Sequence, residues 1–518
     1  MNSYRIGIDV GGTHTDAVLM DQHYNVLAEV KSPTTEDTST GIYDAMRKVV
    51  EKSNIPKEQI HYAMLGTTHC TNAIVERKRL NKVAAIRIGA PATLAIKPLV
   101  GVPDDLKEIL GKHLYIVRGG NEFDGREIVE LDEEHIREIL REIKGKVDSI
   151  AVTSVFSPVS QDHELRVAEM IREELGQEVA ISMSSEIGSV GLLERENATI
   201  LNAAIVDVAR TIAHGFTEAL KREGIHATVF FGQNDGTLMS VEYTMRYPIL
   251  TIACGPTNSL RGASYLTNRA DALVIDVGGT TTDVGVLISS FPRQSSLAVE
   301  LGGVRTNFRM PDILSIGLGG GTIVRLGDQG QFTIGPDSVG HKLYEKGLVF
   351  GGDTLTTTDV AVALGKAELG DAEYVQHLDK KLLQRVYDEM VVMVEDTIDK
   401  MKTSADLVPV ILVGGGSILL PTELQGASEV IKPSNFGVAN AIGSAISQVS
   451  GQIEKIFKLD DLGREKTIEF AKELAKNEAI SAGANPEELV IVDVEDIPLA
   501  YLSGNATKIR VKAAGNLA

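Results

Sequence analysis

Cysteine is scarce in this chain, basic residues are outnumbered, and long apolar runs are missing. Only Cys70 and Cys254 occur in 518 residues. Two cysteines cannot build a disulfide framework, and their scarcity points to a reducing compartment. Neither belongs to a Cys-x-x-Cys zinc pattern. Cys70 follows His69, which raises a Cys–His nucleophile reading, but neighbours on an extended chain point to opposite sides. Lys and Arg total 51 against 71 Asp and Glu, a net charge of −20. A phosphate backbone demands basic residues for neutralisation, so the charge balance argues against nucleic acid as a partner. It argues against an anionic membrane surface on the same ground. No run reaches the roughly 18 apolar residues of a membrane span. The first strand begins almost at once and leaves no room for a signal peptide, so a cytoplasmic location is expected. The phosphate-loop signature ending in Gly-Lys-Ser/Thr is absent, as is the Gly-x-Gly-x-x-Gly dinucleotide fingerprint.

Glycine, by contrast, is abundant: 50 of 518 residues, where an average chain has about 7%. Its placement is informative. The octapeptide Asp9-Val10-Gly11-Gly12-Thr13-His14-Thr15-Asp16 recurs as Asp276-Val277-Gly278-Gly279-Thr280-Thr281-Thr282-Asp283, with only His14 against Thr281 differing. Each copy lies between two short apolar runs, residues 4–8 and 17–20 in the first case, 272–275 and 284–288 in the second. Strand, Gly-Gly turn, strand is the local reading. A repeat this distant is no solenoid period and implies two related lobes. Paired glycines let the backbone lie against a phosphate, and successive N–H groups in such a turn form an anion-binding concavity. The hydroxyls of Thr13, Thr15, Thr280, Thr281 and Thr282 add donors. Asp9 and Asp276, at the strand ends, are the candidate Mg²⁺-binding or catalytic carboxylates. An ordinary hairpin turn is the competing reading, and recurrence in equivalent surroundings weighs against it. An acidic protein still binds ATP, because Mg²⁺ and backbone N–H groups supply the positive field.

Alternating patterns fill the remainder. A helix is expected over 40–52 and a strand over 62–65 that ends in Gly66-Thr67-Thr68-His69. Ile136, Ile139, Leu140 and Ile143 keep helical spacing behind a capping Asp132. Strands are expected over 149–156 and 179–183, with an amphipathic helix over 162–175 between them. Residues 195–222 read as one long helix. A strand over 408–413 runs into Gly414-Gly415-Gly416, a loop of the nucleotide-site kind, and 435–450 reads as a helix of small residues. The tail carries a helix over 464–477 and strands over 489–492 and 507–511. Such alternation predicts sheets with covering helices, an α/β protein.

Two Asp-Val-Gly-Gly-Thr hairpins, a late Gly-Gly-Gly loop and a small-residue helix resemble the actin-like ATPase and sugar-kinase superfamily. Within it the chain looks like the hydantoinase/oxoprolinase family, specifically the ATP-binding, hydantoinase A-like subunit. The supporting stretches are 66–77 (Gly-Thr-Thr-His-Cys-Thr-Asn-Ala-Ile-Val-Glu-Arg), 185–188, 194–199, 315–322, Gly335-Pro336 and Thr358-Asp359. The resemblance implies a two-lobed α/β fold of duplicated ribonuclease H-like type, with a nucleotide cleft between the lobes. It implies an N-terminal lobe over 1–190, an ATP-binding lobe over 191–450 and a short C-terminal α/β extension over 451–518. ATP and Mg²⁺ are the implied cofactors. Asp9 and Asp276 are the expected metal-binding and catalytic carboxylates, with His69 as substrate contact or general base. Gly11, Gly12, Thr13, Thr15, Gly278, Gly279, Thr280, Thr281, Thr282, Gly414, Gly415, Gly416 and Asn440 are the expected nucleotide contacts. The implied activity is ATP-dependent opening of a cyclic amide of hydantoin, 5-oxoproline or lactam type. Phosphorylation of the amide carbonyl would activate it. A small-molecule kinase and a regulatory ATPase acting on a protein remain as alternatives.

The resemblance carries departures. Large subunits of the family extend well beyond this length, so a second hydantoinase-type subunit and an oligomeric assembly are expected. The family stretch Gly-Pro-Ala-Gly-Gly appears here as Gly255-Pro256-Thr257-Asn258-Ser259, which bears on substrate identity more than on ATP. Asp16 and Asp283 close the hairpins, and structural hydrogen bonding competes with a chemical role for both. His14 is a candidate phosphate or substrate contact. His341 with Asp353 would make half a metal site. His135 and His163 read as solvated helix residues, and packing is the competing explanation for Asn440 and Gly443.

Overall fold

The computed structural model describes residues 3–11, 13–33, 38–295, 299–499 and 504–517. Both glycine hairpins form, in the same register. Tyr4–Val10 pairs antiparallel with His14–Met20, setting Asp9 opposite Asp16. Ala272–Val277 pairs with Thr282–Ile288, setting Asp276 opposite Asp283. Each first strand has a parallel neighbour on its other side, Ile60–Thr67 in one sheet and Val408–Val413 in the other. The two sheets therefore repeat one plan: an antiparallel hairpin extended by parallel strands. This is the two-lobed, duplicated actin-like architecture, with the hairpin turns meeting between the lobes.

The first sheet has nine strands, in the order Val490–Pro498, Ala506–Gly515, Val449–Lys458, Leu238–Ser240, Thr228–Gly232, Ile60–Thr67, Tyr4–Val10, His14–Met20 and Val26–Pro33. The second runs Phe291–Pro292, Thr282–Ile288, Ala272–Val277, Val408–Val413 and Ala427–Ile431, with Ile313–Ile316 also bonded to Thr282–Ile288. Residues 228–240 and 449–515 thus share a sheet with residues 4–67, and the lobes interleave along the chain. A linear division at 190 and 450 does not follow the sheets. A third, all-parallel sheet places Val83–Ala90 and Ser149–Ser154 at its centre. Every residue of these two strands is buried, which explains why apolar residues run on rather than alternate in them, interrupted by the buried Arg87 in one and by Ser149, Thr153 and Ser154 in the other. Its covering helix Glu133–Ile143 is capped as expected, the Asp132 carboxylate accepting from the His135 N–H at 3.1 Å. His163 differs from its expectation: it is buried, accepts from the Gly120 N–H at 3.0 Å and meets Glu127 at 3.1 Å.

Two helices lie between the main sheets. Cys254–Thr267 packs Leu260 and Ala263 on the second sheet, and Ala439–Ile446 packs Ala441, Ile442 and Ala445 on the first. Their small residues allow backbones to touch: a Cβ on Gly443 would collide with the Asn258 carbonyl, and one on Gly262 with that of Ala439. The small-residue helix ends at Ile446 rather than 450, because Val449 already pairs in parallel with Leu238 in the first sheet. The long helix expected over 195–222 is two helices, Leu192–Ala204 and Val206–Arg222. Its break has a cause. The Ala203 carbonyl accepts from Ser149 Oγ at 2.8 Å and Asn81 Nδ2 at 3.3 Å, and the Ala204 carbonyl from the Asn81 N–H at 2.8 Å. A continuous helix needs both carbonyls for its own ladder. Among the described residues no helix is long and apolar enough to cross a membrane.

Candidate functional site

Asp9 and Asp276 end the first strand of each hairpin, and both sit at the floor of one cleft of about 330 Å³ between the lobes. Each carboxylate is backed by a glycine where no larger residue fits: a Cβ on Gly66 would strike Asp9 Oδ1, and one on Gly414 would strike Asp276 Oδ1. Gly414 also holds φ +82°, the left-handed region that favours glycine. The two lobes thus build the same feature twice.

One helix holds both carboxylates. Asn258 donates to Asp9 Oδ1 at 3.2 Å, and the next residue, Ser259, donates its hydroxyl to Asp276 Oδ2. From the neighbouring helix, Asn440 donates to Asp9 Oδ2 at 3.0 Å. Burial raises the Asp9 pKa to about 7, opposed by the Asn258 and Asn440 bonds and reinforced by Asp16 and Asp276. Burial likewise raises Asp276, against its bond from Ser259. Asp283 is raised to about 6 by burial, against the bond from Ser315. Three of the four cleft aspartates are therefore held back from ionising, each chiefly because charge there is poorly solvated.

Lys31 is the sole lysine or arginine among the described lining residues. Its ammonium donates to both Asp16 oxygens, at 2.8 and 2.9 Å, and to the Gly437 carbonyl of the other lobe at 3.1 Å. Four aspartates against one committed lysine leave a cleft that lacks positive charge. Such a site favours an anion that arrives with its own cation. The donor set fits Mg²⁺ held mainly by phosphate oxygens and water, with Asp9 and Asp276 in reach. Among the described residues no group of three or more His, Cys, Asp or Glu is arranged as a protein-only metal cage.

The hairpins meet across the cleft, where a Cβ on Gly279 would collide with the Thr13 side chain. Two further glycine loops brace the second hairpin from behind. Gly320 and Gly321 donate their N–H groups to the Gly278 and Gly279 carbonyls, at 3.0 and 2.7 Å, and a Cβ on Gly416 would meet the Gly278 carbonyl. The cleft brings together Asp9, Gly11, Thr13, Asp276, Gly278, Gly279, Thr280, Thr281, Gly414, Gly415, Gly416 and Asn440. Thr15 and Thr282 are not among the lining residues. Both are fully buried, and the Thr282 hydroxyl is committed to the Leu318 carbonyl at 2.6 Å. Gly12 lies outside the described residues.

His69 does not line this cleft. It sits in an adjoining cavity, its Nδ1 bonded to Thr67 Oγ1, and burial with the charge of Arg79 lowers its pKa to about 4. A neutral imidazole of that acidity is a hydrogen-bonding group and a poor general base at neutral pH. The cysteines are no nucleophiles either. Burial pushes Cys70 up to about 11 and Cys254 up to about 12, and the Cys254 thiol donates to the Thr67 carbonyl at 3.2 Å. Lys31, Asn258 and Ser259 were not singled out from sequence as site residues. Lys31 belongs to no motif. Asn258 and Ser259 lie in the stretch that departs from the family pattern, and that departure was the one available signal.

A family model for the hydantoinase/oxoprolinase N-terminal region matches residues 5–175, and one for hydantoinase/oxoprolinase matches residues 195–401. An uncharacterised protein of Methanocaldococcus jannaschii is 24% identical over 99% of this chain and 82% of its own length. The acetophenone carboxylase gamma subunit of Aromatoleum aromaticum is 29% identical over 70% of this chain, which spans only 53% of that subunit. Among solved structures, the ATP-dependent caprolactamase of Pseudomonas jessenii superposes with a TM-score of 0.78 at 19% identity, covering 99% of this chain and 88% of that one. The matched regions run through both hairpins, both interlobe carboxylates and the helix that holds them, and the chain belongs to the hydantoinase/oxoprolinase family.

Proposed function

We propose that this chain is the ATP-binding enzyme, or enzyme subunit, of a hydrolase that opens a cyclic amide at the expense of ATP. One observation carries the reading: a buried Asp9 and a half-buried Asp276 face a single cleft beneath paired glycine hairpins. The caprolactamase that superposes on the chain is described as ATP-dependent, which supports the same reading.

An amide carbonyl is a poor electrophile. Attack of its oxygen on the γ-phosphorus of ATP breaks the bond to ADP and leaves an O-phosphorylated carbon that water attacks readily. The ring C–N bond then breaks with a proton going to nitrogen, and hydrolysis of the acyl phosphate releases free phosphate. The protein's share is positioning and charge placement. Thr13, Thr280 and Thr281 would offer their hydroxyls to the phosphates, Asn440 would hold Asp9 in place beside them, and Gly415 and Gly416 would leave room for the rest of the nucleotide. Asp9 and Asp276 would hold Mg²⁺ through water, and that ion would neutralise charge on the transferring phosphoryl. His69, as a neutral donor or acceptor beside the first hairpin, would orient the cyclic substrate. A second hydantoinase-type subunit would complete the assembly.

The test is phosphate release from Mg²⁺-ATP by the purified chain, alone and with hydantoin, 5-oxoproline and simple lactams. A parallel arm uses acetophenone with bicarbonate, because a carboxylase subunit is among the relatives. Stimulation by a ring with loss of that ring supports the reading. Phosphate retained on a stable product would instead mark a kinase, and stimulation by the ketone alone a carboxylase.

A further inference from the structure

The strand Val449–Lys458 is paired along its whole length on one side, by Ala506–Gly515. Its other edge is nearly bare. Leu238–Ser240 meets it only where Leu238 stands opposite Val449, and the chain then turns into the helix Val241–Arg246. Over residues 450–458 that edge has no backbone partner among the described residues. Such an edge is a row of unpaired N–H and C=O groups, which natural proteins cover or blunt.

Two cavities follow this edge. The first, about 300 Å³, is lined by the consecutive residues 452–455, and the second, about 510 Å³, by 455–458. Successive strand side chains alternate between faces, so a consecutive run lines a cavity only along the strand's edge. Gln161, Ser185 and Lys455 belong to both cavities, which makes them one groove. Its opposite wall is formed by residues 157–162 and 185–189, which follow the strands Ser149–Ser154 and Ala180–Met183 of the third sheet.

The groove holds unmet hydrogen bonds. The Ser185 Oγ, Gln233 Oε1 and Asn307 Oδ1 atoms are buried there without a partner among the described residues, and Gln233 as a whole is only 8% exposed. All three oxygens accept, so the missing partner brings N–H groups. One face of the groove also carries a pattern. The helix Arg464–Ser481 runs antiparallel to the strand: a Cβ on Gly451 would strike Glu478 and Ala479, and Phe470 packs edge-on against Phe457. Glu478 and Lys455 line the groove, and neither has an ion-pair partner among the described residues. Phe470 lines the second cavity and is 51% exposed. An acid beside position 451, a base at 455 and an aromatic pair at 457 thus follow one another on the helix-facing side.

We propose that this groove takes an extended segment of a partner protein, which adds a strand to the open edge. Its backbone pairs with residues 450–458, and its side chains set a basic residue against Glu478, an acidic one against Lys455 and an apolar one against Phe457 and Phe470. Strand register sets the spacing: a basic residue, an acidic one four positions on and an apolar one two further, or the same order reversed for an antiparallel segment. The open edge is about 30 Å long at 3.3 Å per residue, and an extended backbone is what satisfies it throughout.

Fluorescence anisotropy with the whole chain tests this. The probes are Arg-Thr-Val-Thr-Glu-Thr-Leu, carrying fluorescein at its N-terminus and an amide at its C-terminus, and the same sequence reversed. Saturable binding of one of them is expected. N-methylation of one alternate set of its backbone amides should weaken binding about tenfold or more, as loss of two hydrogen bonds implies. Methylation of the other set should weaken it much less, because only one set faces the strand edge. Glu478→Lys should lower affinity about tenfold, and a probe with Glu in place of Arg should recover it. Binding of neither probe, equal losses from the two methylated sets, or unchanged affinity in Glu478→Lys would each overturn the proposal. So would self-association of the chain that the probe disperses, because the occupant would then be a second copy.

Discussion

Asp9 owes its raised pKa to burial that two asparagine amides only partly offset, and the consequence for stability has a definite sign. A carboxyl whose folded pKa lies above its unfolded value of 3.8 stabilises the fold fully below that value, and the contribution is lost as pH rises through about 7. Asp283, raised to about 6, acts in the same direction. Asp9→Asn removes the buried charge, so its melting temperature relative to the parent should rise steadily between pH 4 and pH 8. At about 1.4 kcal/mol per pKa unit, a relative gain of several degrees by pH 8 is expected by scanning calorimetry. A difference that does not change with pH would contradict the buried-charge account. Asp276→Ala should lower ATP turnover about a hundredfold or more while the fold persists, a loss typical of removing a charge-placing group; unchanged turnover would remove Asp276 from the mechanism. His69→Ala should raise KM for the ring substrate about tenfold with little change in ATP affinity, as loss of one hydrogen bond implies. Equal loss of both affinities in parallel titrations would mark structural damage instead.

Between elements, the crossing of Cys254–Thr267 over Ala439–Ile446 determines how closely the lobes approach, and glycine makes that crossing possible. Gly443→Ala would drive a methyl into the Asn258 carbonyl, so the helices must part. An overpacking cost of about 2–3 kcal/mol is expected, read by urea denaturation. Turnover should fall as well, because Asn258, Ser259 and Asn440 reach their aspartates from these two helices. Full stability in Gly443→Ala would show that the contact yields cheaply. The hairpins were legible in the sequence because each states its pattern locally, an apolar run, two glycines and a second run. Asp132 as a cap was legible for the same reason. The break at Ile205 was not, since it depends on Asn81 and Ser149 taking the carbonyls of Ala203 and Ala204 from far along the chain. Asp9 and Asp276 were visible as a repeated pair, whereas Asn258, Ser259 and Lys31 act singly and carry no repeat to betray them.

Across the whole molecule, the strands over 449–515 extend the sheet that starts at Tyr4, a pairing that no local pattern could have revealed. Lys512 shows what fastens them. Its ammonium lies 2.8 Å from Asp235 in a pair that is almost fully buried, and Asp235 also accepts from the Thr237 N–H at 3.0 Å and the Ser450 hydroxyl at 3.1 Å. The same ammonium is 4.8 Å from the ring centroid of Phe291, a residue of the second sheet, and the Arg261 guanidinium covers that ring at 4.2 Å. The C-terminal strands are thereby tied to both lobes at one point. Lys512→Ala would leave the Asp235 charge buried with hydroxyls and one N–H alone, a loss of about 3–5 kcal/mol. Asp235→Asn with Lys512→Met keeps the volume and removes both charges, and much of that loss should return. Denaturation of the three proteins in urea separates two views of the seam. If the single variant is destabilised and the double is not, the pair fixes register and its charge is dispensable. If both are equally destabilised, packing around Phe291 is what joins the C-terminal strands to the lobes.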